Sequence, residues 1–256
     1  MPKGVLVDLT RCIGCRGCQV ACKSWNERPV VKTVLSGSFE NPPALSEACY
    51  TRIRFEEADA GPNGLPVWTF VKEQCLHCKE PACASACPVG ALVKTEGGPV
   101  VYDFDKCIGC RYCMVACPFE IPKYEWSKAQ QPWVQKCTFC AERQADNLSP
   151  ACVKTCPTDA LLWGESEELM AEAKKRLATG KYVDHIYGEK EAGGTSWIFI
   201  SDRPFAEIGF NTKVPQYALP PYTWASLSKI PTEIVVFSAV LGGLAFIRNR
   251  GSKGGE

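Results

Sequence analysis

Seventeen cysteines, in a chain of 256 residues with only two histidines and three methionines, constrain this sequence more than any other feature. Sixteen fall into four sets of four, and Cys49 stands alone. The first set is Cys12, Cys15, Cys18 and Cys22. The third, Cys107, Cys110, Cys113 and Cys117, repeats its C-x2-C-x2-C-x3-C spacing almost letter for letter. The second set, Cys75, Cys78, Cys83 and Cys87, widens the inner gap to four residues, and the fourth, Cys137, Cys140, Cys152 and Cys156, to eleven. Pro88, Pro118 and Pro157 follow the last cysteine of the later three sets, where the first has Lys23.

A disulfide scaffold suits this pattern poorly, because the chain is long, the count is odd and the thiols are tightly spaced. Structural zinc takes four ligands per ion, commonly from paired CxxC units. Here each set ends instead in a remote fourth cysteine. A cubane cluster presents four irons at tetrahedral corners, and thiolate is the soft ligand that holds them. Three thiolates from one tight turn cover one face, with Gly14 and Gly109 at the bends, so the fourth ligand must come from elsewhere. This is the bacterial ferredoxin run, in which the last cysteine of each run ligates the other cluster. The expectation is therefore four [4Fe–4S] clusters.

Between the second and third sets, Pro88–Val93 and Pro99–Asp105 flank Gly97 and Gly98 and read as a hairpin. Residues 75–117 thus resemble a complete two-cluster ferredoxin unit. That unit pairs Cys75, Cys78, Cys83 and Cys117 on one cluster, and Cys107, Cys110, Cys113 and Cys87 on another. By elimination, Cys12, Cys15, Cys18 and Cys156 hold a third, and Cys137, Cys140, Cys152 and Cys22 a fourth. The fold expected is α+β: two pseudo-symmetric ferredoxin-like units within residues 1–214, the inner one 75–117 and the outer one 1–30 with 133–165. Residues 23–48 and 57–66 read as ordered insertions. Further strands are expected at Gly4–Leu9, Tyr50–Glu56, Val67–Lys72 and Ala160–Trp163, all rich in branched or aromatic residues. A helix is expected at 166–179, with Ser166 as N-cap, Gly180 at its end, and Leu169, Met170, Ala173 and Leu177 as its buried stripe.

After a Pro-rich linker at 215–223, residues 224–248 predict a transmembrane helix. Its charge-free part, Ile234–Ile247, is too short to span, but extension to Trp224 gives roughly 36 Å at the helical rise, against a hydrocarbon core of about 30 Å. Tyr222 and Trp224 suit one interface, with Lys229 snorkelling, and Glu233 reads as wetted near the entrance, with an intramembrane functional carboxylate as the alternative. The alternative to a spanning helix is a buried or partner-covered one. Arg248, Arg250 and Lys253 point residues 249–256 to the cytoplasm and the cluster domain to the outer side of the cytoplasmic membrane. Met1–Cys12 leaves no room for a signal peptide, so export would rest on a partner's signal.

Basic and acidic residues balance, 29 against 28, which excludes a general attraction to nucleic acid. No catalytic constellation competes with the cysteines. His77 reads as a group beside a cluster or at the surface, His185 as structural or exposed, and Cys49 as a small buried hydrophobe. Arg16, Lys79, Arg111 and Lys136 adjoin ligands and are either charge compensators or solvated side chains.

The four sets in this order resemble the iron–sulfur β subunit of molybdopterin oxidoreductases, and most closely that of membrane-bound formate dehydrogenase. Ser24-Trp25-Asn26-Glu27, Pro118-Phe119-Glu120-Ile121-Pro122, Pro150-Ala151-Cys152, Gly193-Gly194-Thr195 and the C-terminal helix carry the likeness. The resemblance implies a non-catalytic chain. Its four clusters would take electrons from a molybdenum or tungsten pterin subunit oxidising formate to a membrane cytochrome b and quinone. The same wiring in a membrane-bound hydrogenase or another molybdopterin enzyme is the alternative. A freestanding iron–sulfur sensor is the reading from another class.

Overall fold

The computed structural model describes residues 2–35, 37–58, 65–126 and 134–252. Most of the 57–66 insertion, Trp133 and Lys253 lie outside the described residues. The chain divides into two units, Met1–Ala218 and Leu219–Glu256. The first begins with β1 (Lys3–Asp8), α1 (Gly17–Trp25), β2 (Thr51–Ala58), β3 (Val67–Gln74), α2 (Ala82–Ser85), β4 (Leu92–Lys94) and β5 (Val100–Tyr102). It continues through α3 (Tyr112–Ala116), β6 (Lys123–Tyr124), β7 (Val134–Gln135), α4 (Ala141–Ala145), α5 (Ala151–Lys154), β8 (Leu161–Glu165), α6 (Ser166–Leu177) and β9 (Trp197–Ile200).

Strand β1 is central in a three-stranded sheet, antiparallel to β8 and parallel to β9. Its uninterrupted apolar run, Val5-Leu6-Val7, is what a strand covered on both faces requires. Because side chains alternate across a strand, each face of the sheet has its own core. Leu6, Ile198 and Ile200 meet Leu169 and Ala173 of α6. Val5 and Val7 meet Phe139, Trp197 and Phe199, the core that supports the cysteine loops. Phe199 is fully buried there, so Phe199→Ala is expected to cost about 3–5 kcal/mol, read as a lower denaturant midpoint.

The strands expected around Gly4–Leu9, Tyr50–Glu56, Val67–Lys72 and Ala160–Trp163 all form, shifted or extended at their ends. The hairpin between the middle cysteine sets forms as β4 against β5, with Val93 opposite Val101. Helix α6 carries the expected stripe, with Leu169 and Ala173 buried and Met170 and Leu177 packed beside them. Its N-cap needs correction. Ser166 is the first helical residue, and its hydroxyl donates to the Pro2 carbonyl at 2.9 Å instead of capping the helix. The hydroxyl is drawn off because the Pro2 carbonyl, which also accepts the Ser166 N–H at 3.1 Å, lies within its reach.

Helices α7 (Pro220–Leu227) and α8 (Ile230–Ser252) form the second unit. Helix α7 begins inside the Pro-rich stretch, with Pro at its first positions, where a missing amide hydrogen costs nothing. An 18-residue window in Pro220–Arg250 has a mean hydropathy of 2.0 and none of it is buried. Ile234, Val235, Phe237, Leu241, Leu244 and Phe246 each expose 60% or more of their surface, so the apolar character runs around the helix and not along one stripe.

Candidate metal centres

All seventeen cysteines are free thiols. In the first and third sets the chain turns through Gly14 (φ +65°) and Gly109 (φ +69°), a left-handed conformation suited to glycine. A Cβ on Gly14 would lie 2.7 Å from the Phe70 ring, so the turn also needs the missing side chain. Arg16 and Arg111 then take matching left-handed conformations (φ 59° and 65°) and start α1 and α3. Backbone N–H groups are aimed at sulfur in the third and fourth sets: Gly109 N–H donates to Cys107 Sγ at 3.4 Å, and Phe139 N–H to Cys137 Sγ at 3.3 Å. Such donors favour the thiolate form that binds metal.

The Gly193-Gly194-Thr195 segment fixes the second set's loop. Lys79 N–H donates to the Gly194 carbonyl at 2.9 Å, and the Ser196 and Trp197 amides donate to Leu76 O at 3.1 and 3.2 Å. Entry into β9 therefore clamps the loop that carries Cys75 and Cys78.

The thiols that act on each cysteine come from its own expected group and from the neighbouring one. Burial, and then the adjacent thiols of Cys75, Cys117 and Cys83, push Cys78 well above the ordinary thiol value. Cys113 is pushed up to about 11 by burial, with Cys107, Cys110 and Cys87 adding to it. These last four also line one cavity. Cys12 is raised by burial, and Cys156 and Cys15 act in the same direction; these three and Cys18 line a second cavity. Burial pushes Cys22 up to about 12, with Cys152 and Cys140 contributing. Burial also raises Cys137, with Cys22, Cys75 and Cys152 behind it.

Thiols of different expected groups also act on one another, and these pairs fall in sequence. Cys18 has Cys152 as a neighbour, Cys137 has Cys75, and Cys83 has Cys113. At the two ends of that series stand Cys15 and Cys110, the two exposed cysteines. Exposed apolar side chains flank them: Ile13 and Val20 at one end, Ile108, Tyr112 and Val115 at the other.

The donors suit a polynuclear cluster. Among the described residues no three Cys, His, Asp or Glu side chains converge to hold a single ion, as zinc with its Zn–S bonds of about 2.3 Å would need. The thiols surround cavities. Buried N–H donors nearby also lack an acceptor: Gln74 Nε2, His77 Nε2 and Trp197 Nε1 have no hydrogen-bond partner. His77 is fully buried and neutral, its pKa held well below the usual value by burial and by Lys136 and Lys94. Its Nδ1 accepts from Val100 N–H at 2.9 Å, so the ring proton is on Nε2, the orphaned atom. Cluster sulfur accepts such bonds, and they are among the levers that set cluster potential.

The other singled-out residues divide. Arg16 lies over the Phe55 ring at 4.7 Å and Arg111 between Tyr124 and Trp126 at 5.1 and 5.0 Å, so both stack on aromatics. Lys79 is exposed. Lys136 is buried, donating to the Val100 and Cys137 carbonyls. Cys49 is buried and its thiol donates to the Thr51 carbonyl at 3.2 Å. His185 is exposed and meets Glu191 at 2.8 Å. The buried Lys72, which lines the cavity of Cys12, Cys15, Cys18 and Cys156, was not foreseen from the sequence.

Four groups of free thiols in series, buried or half-buried except for Cys15 and Cys110, define a multi-cluster iron–sulfur electron carrier. Comparison with known proteins narrows this. Two models of a 4Fe-4S dicluster domain match residues 11–91 and 66–166. The nitrate-inducible formate dehydrogenase iron-sulfur subunit of Escherichia coli K12 is 36% identical, over 94% of this chain and 82% of its own. A protein of Nitratidesulfovibrio vulgaris Hildenborough is 40% identical over 98% of this chain and 68% of its own. The hydrogenase-2 operon protein HybA of Escherichia coli O157:H7 is 36% identical over 80% and 71%. The chain belongs to the family of iron–sulfur subunits that includes those of formate dehydrogenases, with two ferredoxin-like dicluster domains and four [4Fe–4S] clusters. Its role is electron transfer and not substrate chemistry.

Proposed function

We propose that this chain carries electrons between a molybdenum or tungsten pterin subunit that oxidises formate and a membrane cytochrome b that passes them to quinone. The observation that carries this reading is the series of thiol groups ending in an exposed cysteine at either side. When bound, the clusters supply one-electron transfer over a wide range of potentials. In the proposed assignment Cys12, Cys15, Cys18 and Cys156 hold the first cluster and Cys137, Cys140, Cys152 and Cys22 the second. Cys75, Cys78, Cys83 and Cys117 hold the third, and Cys107, Cys110, Cys113 and Cys87 the fourth. The protein's own part is to keep the two middle groups dry and rigid and to expose the end groups on apolar docking faces. His77 and Phe139 occupy matching positions in the two middle loops, share a left-handed conformation and stack at 4.9 Å, which supports pseudo-symmetry between the units.

The second unit is proposed to span the cytoplasmic membrane. Helix α8 has 23 residues, roughly 35 Å at the helical rise, enough for a core of about 30 Å. Arg248 and Arg250 at its end favour the cytoplasmic side for the C-terminus, with the cluster domain outside. Likeness to HybA supports a second reading, the same wiring beside a hydrogenase catalytic subunit.

Purification in mild detergent, with identification of the co-purifying chains, tests the proposal. A pterin-bearing subunit and a cytochrome b are expected. A nickel–iron subunit would transfer the chain to the second reading, and recovery of the chain alone with labile iron would favour a sensor.

A further inference from the structure

Lys72, near the end of β3, exposes only 3% of its surface. Its ammonium donates to Thr51 Oγ1 across the β2–β3 ladder and lies 5.3 Å from the centre of the Trp197 ring. Among the described residues no carboxylate pairs with it, since the adjacent Glu73 is committed to Arg52 and Arg54. A buried ammonium without an anion is strongly disfavoured, so the site must provide negative charge. Sulfur faces it. Lys72 lines the same cavity as Cys12, Cys15, Cys18 and Cys156. Burial opposes its charge, yet Cys152, Cys18, Cys22 and Cys137 raise its pKa. The Trp197 ring it faces packs in one core with Cys18 and Cys152 and lies 5.4 Å from Phe139, two residues after Cys137, so thiols of two expected groups stand beside it. Lys94 and Lys136 lie by the third group, but both donate to backbone carbonyls, Lys94 to Gly98 and His77 and Lys136 to Val100 and Cys137. Lys72 has a single neutral hydroxyl.

We propose that Lys72 is the shared counter-charge of the first two clusters, placed between the Cys12 and Cys137 groups so that one cation raises both potentials together. The inference rests on the ligand assignment above. Reduction adds one negative charge to a cluster, and a fixed cation in a poorly screening interior favours the reduced form. At separations of several ångströms and an effective dielectric constant near 20, the expected change in the reduced-to-oxidised ratio is on the order of tenfold or more. Each tenfold corresponds to about 59 mV for one electron. Raising the two potentials in step also keeps neither cluster as a trap for the other.

The test is a reductive titration followed by electron paramagnetic resonance on the intact complex carrying Lys72→Met. Iron content should be unchanged. Two clusters should become harder to reduce, their reduced-to-oxidised ratio at a fixed potential falling at least about tenfold. The other two should move much less, and Lys72→Arg, which keeps the charge, should stay near the parent values. Cys12→Ser and Cys140→Ser mark which signals belong to the first two groups. No shift, an equal shift of all four, or a shift in Lys72→Arg as large as in Lys72→Met would overturn the proposal. So would loss of iron in both Lys72→Met and Lys72→Gln, because the residue would then be structural. Failure of the ligand assignment reads differently: the two serine variants would leave every signal in place whatever stands at position 72.

Discussion

Cys137→Ala is expected to stop electron passage through the chain while leaving most of its iron in place. Cys137 is 8% exposed and neighbours both its own group, through Cys22 and Cys152, and the next, through Cys75. The four groups adjoin in sequence, as Cys18 packs in one core with Cys152, Cys137 with Cys75 and Cys83 with Cys113, so losing one of the middle two breaks that series. Iron per chain should fall by about a quarter. Dye-linked oxidation at the catalytic partner should survive, and quinone-linked turnover should drop to background. The loss should be local, because the remaining groups are built on other loops and the sheet core does not include Cys137. Unchanged quinone reduction in a preparation short of iron would show that this group is off the path.

Removing residues 219–256 is expected to release the chain from membranes without disturbing its clusters. The cut falls where the two units divide, so no strand or cysteine loop is interrupted. In the proposed anchor the hydrophobic effect holds the helix: side chains such as Phe237, Leu241 and Phe246 expose 60% or more of their surface, each worth about 1.5–3 kcal/mol when transferred from water. A single Val240→Arg near the helix centre should weaken insertion by about 2.5–3.5 kcal/mol. Fractionation after a carbonate wash decides between anchors. Truncated chain in the soluble fraction with full iron is expected; truncated chain still in the membrane would assign the attachment to a partner subunit.

Much of this architecture is legible in the sequence, because its signals are local. The cysteine spacings, the Gly14 and Gly109 bends, the β4–β5 hairpin and the buried stripe of α6 all depend on residues within a turn or two of one another. What escaped was set by distant packing. Trp197–Ile200 forms the parallel partner of β1, yet a run of four apolar residues has no alternation to mark it as a strand. Ser166 has the residue type of an N-cap, but a carbonyl 164 positions away captures its hydroxyl. Lys72 adjoins no cysteine in the chain, and only the folding of β3 beneath two thiol groups brings its charge to them. The reverse holds for Arg16 and Arg111, which adjoin ligands in sequence but turn onto aromatic rings.

Iron and acid-labile sulfide, counted on the anaerobically purified complex and paired with a dithionite titration, test the central claim most directly. Two dicluster domains require about sixteen of each per chain and four separate one-electron paramagnetic signals. Zinc in place of iron, or iron near sixteen with no signal on reduction, would contradict the account.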